Sequence, residues 1–228
     1  MMLVLGGCGR SSETTLVSKQ EITVKEYATS SGLTINYYII TPARNSSNIL
    51  NVYLHDDDCK KQTQDENITH LLKENSLPAA LVNTEVYLPY YYLIPELPYG
   101  VTDWTSIMPD LEELIQTVLN SKKLTKVSIT GAFMGGEASF IYAKRNPQKC
   151  YKVSSVGALL EATDEEAILL QKVGFWAVVA DDKVEEMQTT YDKLYALNQK
   201  AQLTSTQETK LLNYYKLNDW EFLKWLTA

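Results

Sequence analysis

Residues 126–139, Lys-Val-Ser-Ile-Thr-Gly-Ala-Phe-Met-Gly-Gly-Glu-Ala-Ser, constrain the fold more than any other stretch of this chain. Lys126 to Thr130 reads as a buried strand. Gly131 to Gly136 reads as a tight glycine turn, and Gly135 to Arg145 as a helix. Asn146-Pro147 ends that helix, because a proline pushes the preceding residue out of the α region. Strand, tight turn and helix in direct succession are the repeating unit of a parallel sheet flanked by helices.

The rest of the chain repeats this alternation. Glu21 to Tyr27 and Leu33 to Ile40 read as the strands of a hairpin joined at Ser30-Ser31-Gly32. Ile49 to Leu54 is a short apolar run and reads as a buried strand, Ile68 to Lys73 as a helix, and Ala79 to Asn83 as the next strand. Residues 84–102 have no clear period and hold many Tyr and Pro. Asp103 is placed to cap a long helix from about Thr105 to Asn120, with Ile107, Leu111, Leu114, Ile115 and Leu119 on one face. Val153 to Leu159 reads as a strand, and Thr163-Asp164-Glu165-Glu166 as a capping box that opens a helix. Phe175 to Ala180 (strand), Val184 to Lys200 (helix), Lys210 to Tyr215 (last strand) and Trp220 to Leu226 (closing helix) complete the pattern. The expected fold class is α/β: one mostly parallel, doubly wound sheet with an N-terminal antiparallel hairpin, helices on both faces and no separate lid domain. The expected organisation is a signal remnant and polar tether over residues 1–18 and one domain over 19–228.

Composition excludes several function classes. The chain has 228 residues, enough for one α/β domain to bury roughly three quarters of its unfolded surface. Its net charge of −7, without a basic run or an aromatic-basic stripe, argues against nucleic acid as a partner. His55 and His70 are its two histidines. His55-Asp56-Asp57-Asp58-Cys59 with His70 is a possible ligand set for a metal. Adjacent residues at a strand exit point in different directions and no i, i+4 histidine pair exists, so a solvated acidic loop is the reading adopted. No metal and no cofactor is expected.

The first residues, Met1-Met2-Leu3-Val4-Leu5-Gly6-Gly7-Cys8, resemble the end of a bacterial lipoprotein signal peptide. Leu5-Gly6-Gly7-Cys8 fits the lipobox, with Cys8 as the lipidated residue, although no Lys or Arg precedes the apolar run. The expectation is export and attachment to a membrane by the lipid anchor only, since no segment reaches the roughly eighteen apolar residues of a membrane span. Cys59 and Cys150 are expected on opposite rims of the sheet, too far apart for a disulfide.

With these residues in view, the chain resembles the α/β-hydrolase superfamily, in particular the small esterase group that includes esterase D and tributyrin-esterase types. The resemblance covers most of residues 20–228. Gly131-Ala132-Phe133-Met134-Gly135-Gly136 matches the group's G-x-S-M-G-G nucleophile elbow except at its third position, where Phe133 stands in place of the serine. Val52-Tyr53-Leu54-His55-Asp56 sits where the group has the strand followed by its oxyanion loop. Phe175 to Val184 resembles the strand and turn that carry the triad acid, which places that acid at Asp181 or Asp182. Lys216-Leu217-Asn218-Asp219-Trp220 resembles the segment that carries the triad histidine, and there the matching residue is Asn218.

The resemblance therefore implies a degenerate site. A phenyl ring cannot form an acyl-enzyme, and an asparagine amide cannot take a proton from a hydroxyl near neutrality. No histidine follows residue 70, whereas the triad order is nucleophile, acid, histidine. The leading expectation is a non-catalytic esterase-like protein that binds a small molecule or a protein at the carboxyl edge of its sheet. Its expected binding residues are His55, Asp56, Phe133, Met134, Tyr90, Tyr91 and Tyr92, and its ring at Phe133 is expected to touch the tyrosines of residues 84–102. Two alternatives stand beside it. One is an active carboxylic-ester hydrolase with a displaced nucleophile, for which Ser128 and Ser139 are the nearest serines. The other is a protein-interaction subunit built on the tyrosine-rich loop.

Overall fold

Runs of β-branched and aromatic residues form the strands, because their stiff side chains fit a pleated surface. The computed structural model describes residues 21–42, 44, 47–56, 77–83, 89–215 and 220–227. The described strands are β1 Glu21–Ala28, β2 Thr34–Thr41, β3 Ile49–Leu54, β4 Tyr91–Pro95, β5 Lys126–Ala132, β6 Cys150–Val156, β7 Gly174–Ala180 and β8 Gln202–Thr206. They make one eight-stranded sheet in the order β1-β2-β4-β3-β5-β6-β7-β8. β1 pairs antiparallel with β2, and β2 antiparallel with β4. Every pairing from β4 to β8 is parallel. The sheet is the expected α/β architecture, with its N-terminal hairpin.

The described helices are α1 Leu77–Asn83, α2 Met108–Lys122, α3 Met134–Arg145, α4 Asp164–Leu169, α5 Val184–Leu197 and α6 Trp220–Thr227. Parallel strands need such crossovers, and the crossovers cover both faces. On one face Leu111 and Ile115 of α2, Phe140 of α3 and Leu194 of α5 pack with Leu50, Val127 and Ile129. On the other, Leu81 of α1, Phe222 and Leu226 of α6, and Tyr215 pack with Tyr53, Ala132 and Trp176. Two expected caps are present. Asp103 accepts from the Ser106 N–H at 2.8 Å on the 3₁₀ turn Thr105–Ile107 that leads into α2, whose own N-cap Ile107 makes no side-chain bond, and Thr163 with Glu166 forms a complete capping box on α4.

Three elements differ from expectation. Residues expected as a strand from Ala79 to Asn83 are helix α1, because Pro78 falls in its first turn, where its missing N–H costs nothing. The strand lies later, at Tyr91–Pro95, inside the stretch read as aperiodic. A short apolar run does not separate a buried strand from a buried helix. Lys210 to Tyr215 is not the last strand but part of a 3₁₀ run, Glu208–Tyr215. The last strand, β8, is an edge strand whose residues are mostly half-exposed, so its hydrophobic signal is weak. β6 also starts earlier than expected and stops at Val156, where Gly157 turns the chain with φ 85°. The helix expected over 68–73 lies outside the described residues, as do Cys59 and its expected separation from Cys150.

Candidate active site

The turn between β5 and α3 is held by close backbone approach. A Cβ added at Gly131 would lie 2.2 Å from the Gly135 carbonyl carbon, and one at Gly135 would lie 2.1 Å from the Leu54 carbonyl oxygen. One at Gly136 would meet the Ser155 hydroxyl at 2.4 Å. The glycines at 131, 135 and 136 are therefore steric requirements: they seat the first turn of α3 directly on the ends of β3, β5 and β6.

Phe133 stands at the apex of that turn with φ 45° and ψ −112°. This lies outside the three regions open to L-residues, and such a conformation costs on the order of 1–3 kcal/mol unless its surroundings impose it. Here they do. The Phe133 N–H donates to the Val156 carbonyl at 2.8 Å, and its carbonyl accepts from the Glu137 N–H at 3.0 Å. The ring leans across the turn that follows β6. A Cβ at Gly157 would sit 2.6 Å from Phe133 Cε1, so only glycine there leaves room for it. The side chain remains 37% exposed. In a nucleophile elbow the apex carries the serine, and the N–H of the next residue joins one from the loop after β3 as the oxyanion hole. Met134 is that next residue, and Asp56 belongs to that loop.

The loop after β3 is locked in place by His55. Its ring is buried, Nδ1 faces the Asp56 carbonyl at 2.8 Å, and Nε2 accepts from the Leu97 N–H at 3.0 Å. The accepting role of Nε2 fixes the neutral tautomer with the proton on Nδ1. Trp104 donates its indole N–H to the His55 carbonyl at 3.0 Å and meets the ring edge-on at 5.0 Å. His55 thus ties together the exits of β3 and β4 and the approach to α2; with both nitrogens engaged it has none left to act as a base.

Under the same edge runs a buried hydroxyl chain. Ser154 donates to Thr130 at 2.7 Å, and Thr130 shares a hydrogen bond with the Tyr215 hydroxyl at 2.9 Å. Burial raises the Tyr215 phenol, the bond to Thr130 opposes this, and the Asp56 carboxylate raises it further.

Asp181 and Asp182 leave the carboxyl end of β7 in an exposed 3₁₀ turn, two strands from β5 and on the same edge as Phe133. The structure thus brings His55, Asp56, Phe133, Met134, Asp181 and Asp182 to one edge. It does not bring the tyrosines there. Tyr91 and Tyr92 begin β4, in register with Leu50 and Asn51. Asn51 is in turn in register with Ser128, five residues short of Phe133 and about 16 Å away along the strands. Tyr92 is buried in the core, Tyr90 is half-buried just before it, and Tyr91 sits under the Lys122 ammonium at the opposite edge. The ring of Phe133 rests on Gly157, not on these tyrosines. The expectation failed because 84–102 contains a strand and is not one loop. Among the described tyrosines of this stretch, Tyr99, 80% exposed in the turn after β4, is the one on the carboxyl side. The two serines weighed as displaced nucleophiles are fully buried, and Ser139 Oγ donates to the Gly135 carbonyl at 2.7 Å. Asn218 and Cys8 lie outside the described residues, as do His70 and Tyr87. Gly157, Trp104 and Tyr215 were not foreseen. A glycine directly after a strand was the available signal for the first; the other two carry none.

No protein-family model matches the chain, and no curated protein matches it at a significant level. Solved structures do match. A thermostable esterase aligns with TM-score 0.64 at 15% identity, over 90% of this chain and 62% of its own length. A ferulic acid esterase aligns with TM-score 0.65 at 12% identity, over 92% of this chain and 99% of its own. The substrate-bound fluorophosphonate-binding serine hydrolase F of Staphylococcus aureus aligns with TM-score 0.60 at 14% identity, over 92% and 100%. The fold is that of an α/β-hydrolase. This chain spans about 62% of the thermostable esterase and nearly all of the other two. At these identities the likeness is one of fold. In this fold Phe133 occupies the apex of the turn between β5 and α3.

Proposed function

We propose that this protein is a catalytically degenerate α/β-hydrolase-fold protein, exported and anchored through Cys8, that binds a ligand or partner at the carboxyl edge where a hydrolase has its active site. One observation carries the reading. The apex holds the strained backbone that presents a nucleophile, yet the side chain presented there is a phenyl ring. With no nucleophilic atom there, no acyl-enzyme forms at this position. Asn218 at the place of the triad histidine, and the absence of any histidine after residue 70, support the same reading. So does the burial of Ser128 and Ser139.

The test is a serine-reactive fluorophosphonate together with a panel of short-chain acyl esters. The expected result is no labelled serine and no hydrolysis above background. Stoichiometric labelling of any serine overturns the reading.

A second reading, an interaction subunit, is favoured by exposed apolar groups on the same edge: Phe133, Leu159 and Tyr99. A small ligand raises the melting temperature on titration, because anything that binds only the folded state stabilises it. An interaction subunit shows no such rise and instead loses its partner when Tyr99 and Leu159 are made serine.

A further inference from the structure

Charge is sorted between the two edges of the sheet. The turns that lead into β5, β6, β7 and β8 carry Lys123, Lys149, Lys172 and Lys200, all exposed, and no Asp or Glu. Lys126 begins β5 and Lys152 is the third residue of β6, towards the same edge. The described turns that leave the strands on the other edge carry Asp56, Asp103, Glu161, Asp181, Asp182 and Glu208 against Lys183 and Lys210, an excess of acid. The ion pairs among the described residues use Lys144, Arg145, Lys183 and Lys193, and none of these six amino-edge lysines. Lys152 is held below the usual lysine range first by partial burial and then by the positive charge of Lys200.

The same edge exposes apolar and aromatic groups. Tyr151 is the second residue of β6, Leu169 the last of α4 and Leu197 the last of α5, and all three are exposed. Lys152 lies over the rings of Tyr151 and Trp225 at 4.9 and 5.1 Å. β5, β6, β7 and β8 are consecutive in the sheet, so the lysines form a row about 15 Å long. The chain preceding the described residues also joins the domain on this side: Glu21, first in β1, pairs with Thr41, the last residue of β2, whose direction opposes the parallel strands.

We propose that the amino edge of the sheet is a docking face for an anionic phospholipid surface. The chemistry matches such a surface on three counts. A row of lysines that stand outside the ion pairs among the described residues, although Lys126, Lys149 and Lys152 hydrogen-bond to neutral oxygens, meets headgroup phosphates without needing a groove. Exposed leucines and an amphipathic Tyr and Trp beside them suit the headgroup–acyl boundary. The N-terminal segment that carries the expected anchor enters at this edge, so anchor and face engage one bilayer. The net charge of −7 does not forbid it. A seven-residue strand such as β5 separates the edges by about 23 Å, more than two Debye lengths at physiological salt. The face adds a contact beyond the lipid anchor and does not depend on it.

The test uses the full chain with Cys8→Ser, so that lipidation cannot account for binding. It is floated with phosphatidylcholine vesicles, with and without phosphatidylglycerol. The expected result is binding only when phosphatidylglycerol is present, released by salt. Each lysine near an anionic surface contributes about fivefold in affinity, so Lys123→Glu, Lys149→Glu, Lys172→Glu and Lys200→Glu together lose a hundredfold or more. The matched control Lys25→Glu, Lys183→Glu, Lys193→Glu and Lys210→Glu keeps binding within a fewfold. If the quadruple variant melts abnormally, the pair Lys172→Glu and Lys200→Glu, both on exposed turns, carries the test with an expected loss of about 25-fold. Equal binding to both vesicle types, or equal loss in the control, overturns the proposal. A DNA duplex that binds as tightly as the anionic vesicles also overturns it, and assigns the face to nucleic acid.

Discussion

Replacing Phe133 by alanine and by glycine separates the backbone strain at the apex from the packing of the ring. Both substitutions remove the ring. Full burial of a phenylalanine stabilises by about 1.5–3 kcal/mol, and with 37% of this side chain exposed each variant loses roughly 1–2 kcal/mol of it. The two variants differ in the backbone. Alanine keeps the penalty of φ 45° and ψ −112°, on the order of 1–3 kcal/mol. Glycine sheds it and pays about 0.5–1 kcal/mol in extra freedom of the unfolded chain. Phe133→Gly should therefore be more stable than Phe133→Ala by about 1 kcal/mol, or about 3 °C in melting temperature for a chain of this length. At an ordinary position the order is reversed, with alanine ahead by about 0.5–1 kcal/mol. The sign of the difference is the diagnostic. Urea titrations at equal slope read it directly from the midpoints. An alanine variant equal to or more stable than the glycine variant refutes the strained apex, and with it the elbow geometry on which the functional reading rests.

Gly135→Ala should cost about 2–3 kcal/mol in the same titrations, because its Cβ would meet the Leu54 carbonyl oxygen at 2.1 Å and neither backbone can yield easily; a neutral effect would mean that α3 does not sit on β3 as described. Phe133→Ser alone should leave ester hydrolysis at background, since the serine arrives without a base, whereas Phe133→Ser with Asn218→His supplies both members; rapid turnover by the single variant contradicts this. Burial holds the Glu96 carboxyl above its ordinary value of 4.5, against opposing hydrogen bonds from Tyr38 and Asn36. A raised folded value means that protonated Glu96 favours folding in acid and loses that contribution as the pH climbs above about 4.5. Glu96→Gln should thus gain stability over the parent, by more at about pH 7 than at about pH 4, and a pH-independent difference refutes it. Cys150 is buried and its thiol is pushed well above the usual range by desolvation, so in a Cys8→Ser, Cys59→Ser variant iodoacetamide should label it only after unfolding.

Much of this architecture was legible because its signals are local. The strand–glycine–helix unit at 126–145, the N-terminal hairpin, the Asp103 cap and the Thr163 capping box depend on residues a few positions apart, and all appear in the structure. The misreadings arose where local signals are ambiguous. Leu77 to Asn83 is apolar, short and contains a proline, which suits a strand bounded by proline as well as a helix begun by one. Tyr91–Pro95 is a central strand that ends in a proline and follows another at Pro89, so its punctuation read as loop. At the site, the sequence identified the apex residue but not the direction of its ring. That direction depends on Gly157, 24 residues later and on the neighbouring strand, a contact that only the β5–β6 register creates. The structural use of His55 was hidden for the same reason, since its partners Leu97 and Trp104 are more than 40 residues away.

The two proposals constrain each other through the geometry of the sheet. In a parallel sheet every strand starts at one edge and ends at the other, so lysines at strand starts and acids at strand ends give the molecule a fixed polarity. With the basic edge on a bilayer, Phe133 and the acids around it face away from the membrane, about one strand length above it. A soluble ligand or partner then has free access to the apex, while the proposed lipid anchor would only have to retain the protein and not to orient it. On the proposed reading, the elbow also accounts for a change at the apex that leaves the shape intact. The glycine contacts that seat α3 on β3 and β6 involve no atom of the apex side chain, so the backbone there tolerates phenylalanine in place of serine. Where a serine would present a small hydroxyl, this chain presents an exposed aromatic ring spread over Gly157, suited to contact more than to reaction. A variant that restores a hydroxyl at residue 133 should therefore weaken binding at this edge even though the fold is unchanged, which a titration of the bound ligand or partner against Phe133→Ser would show. Undiminished binding would place the recognition surface away from the apex.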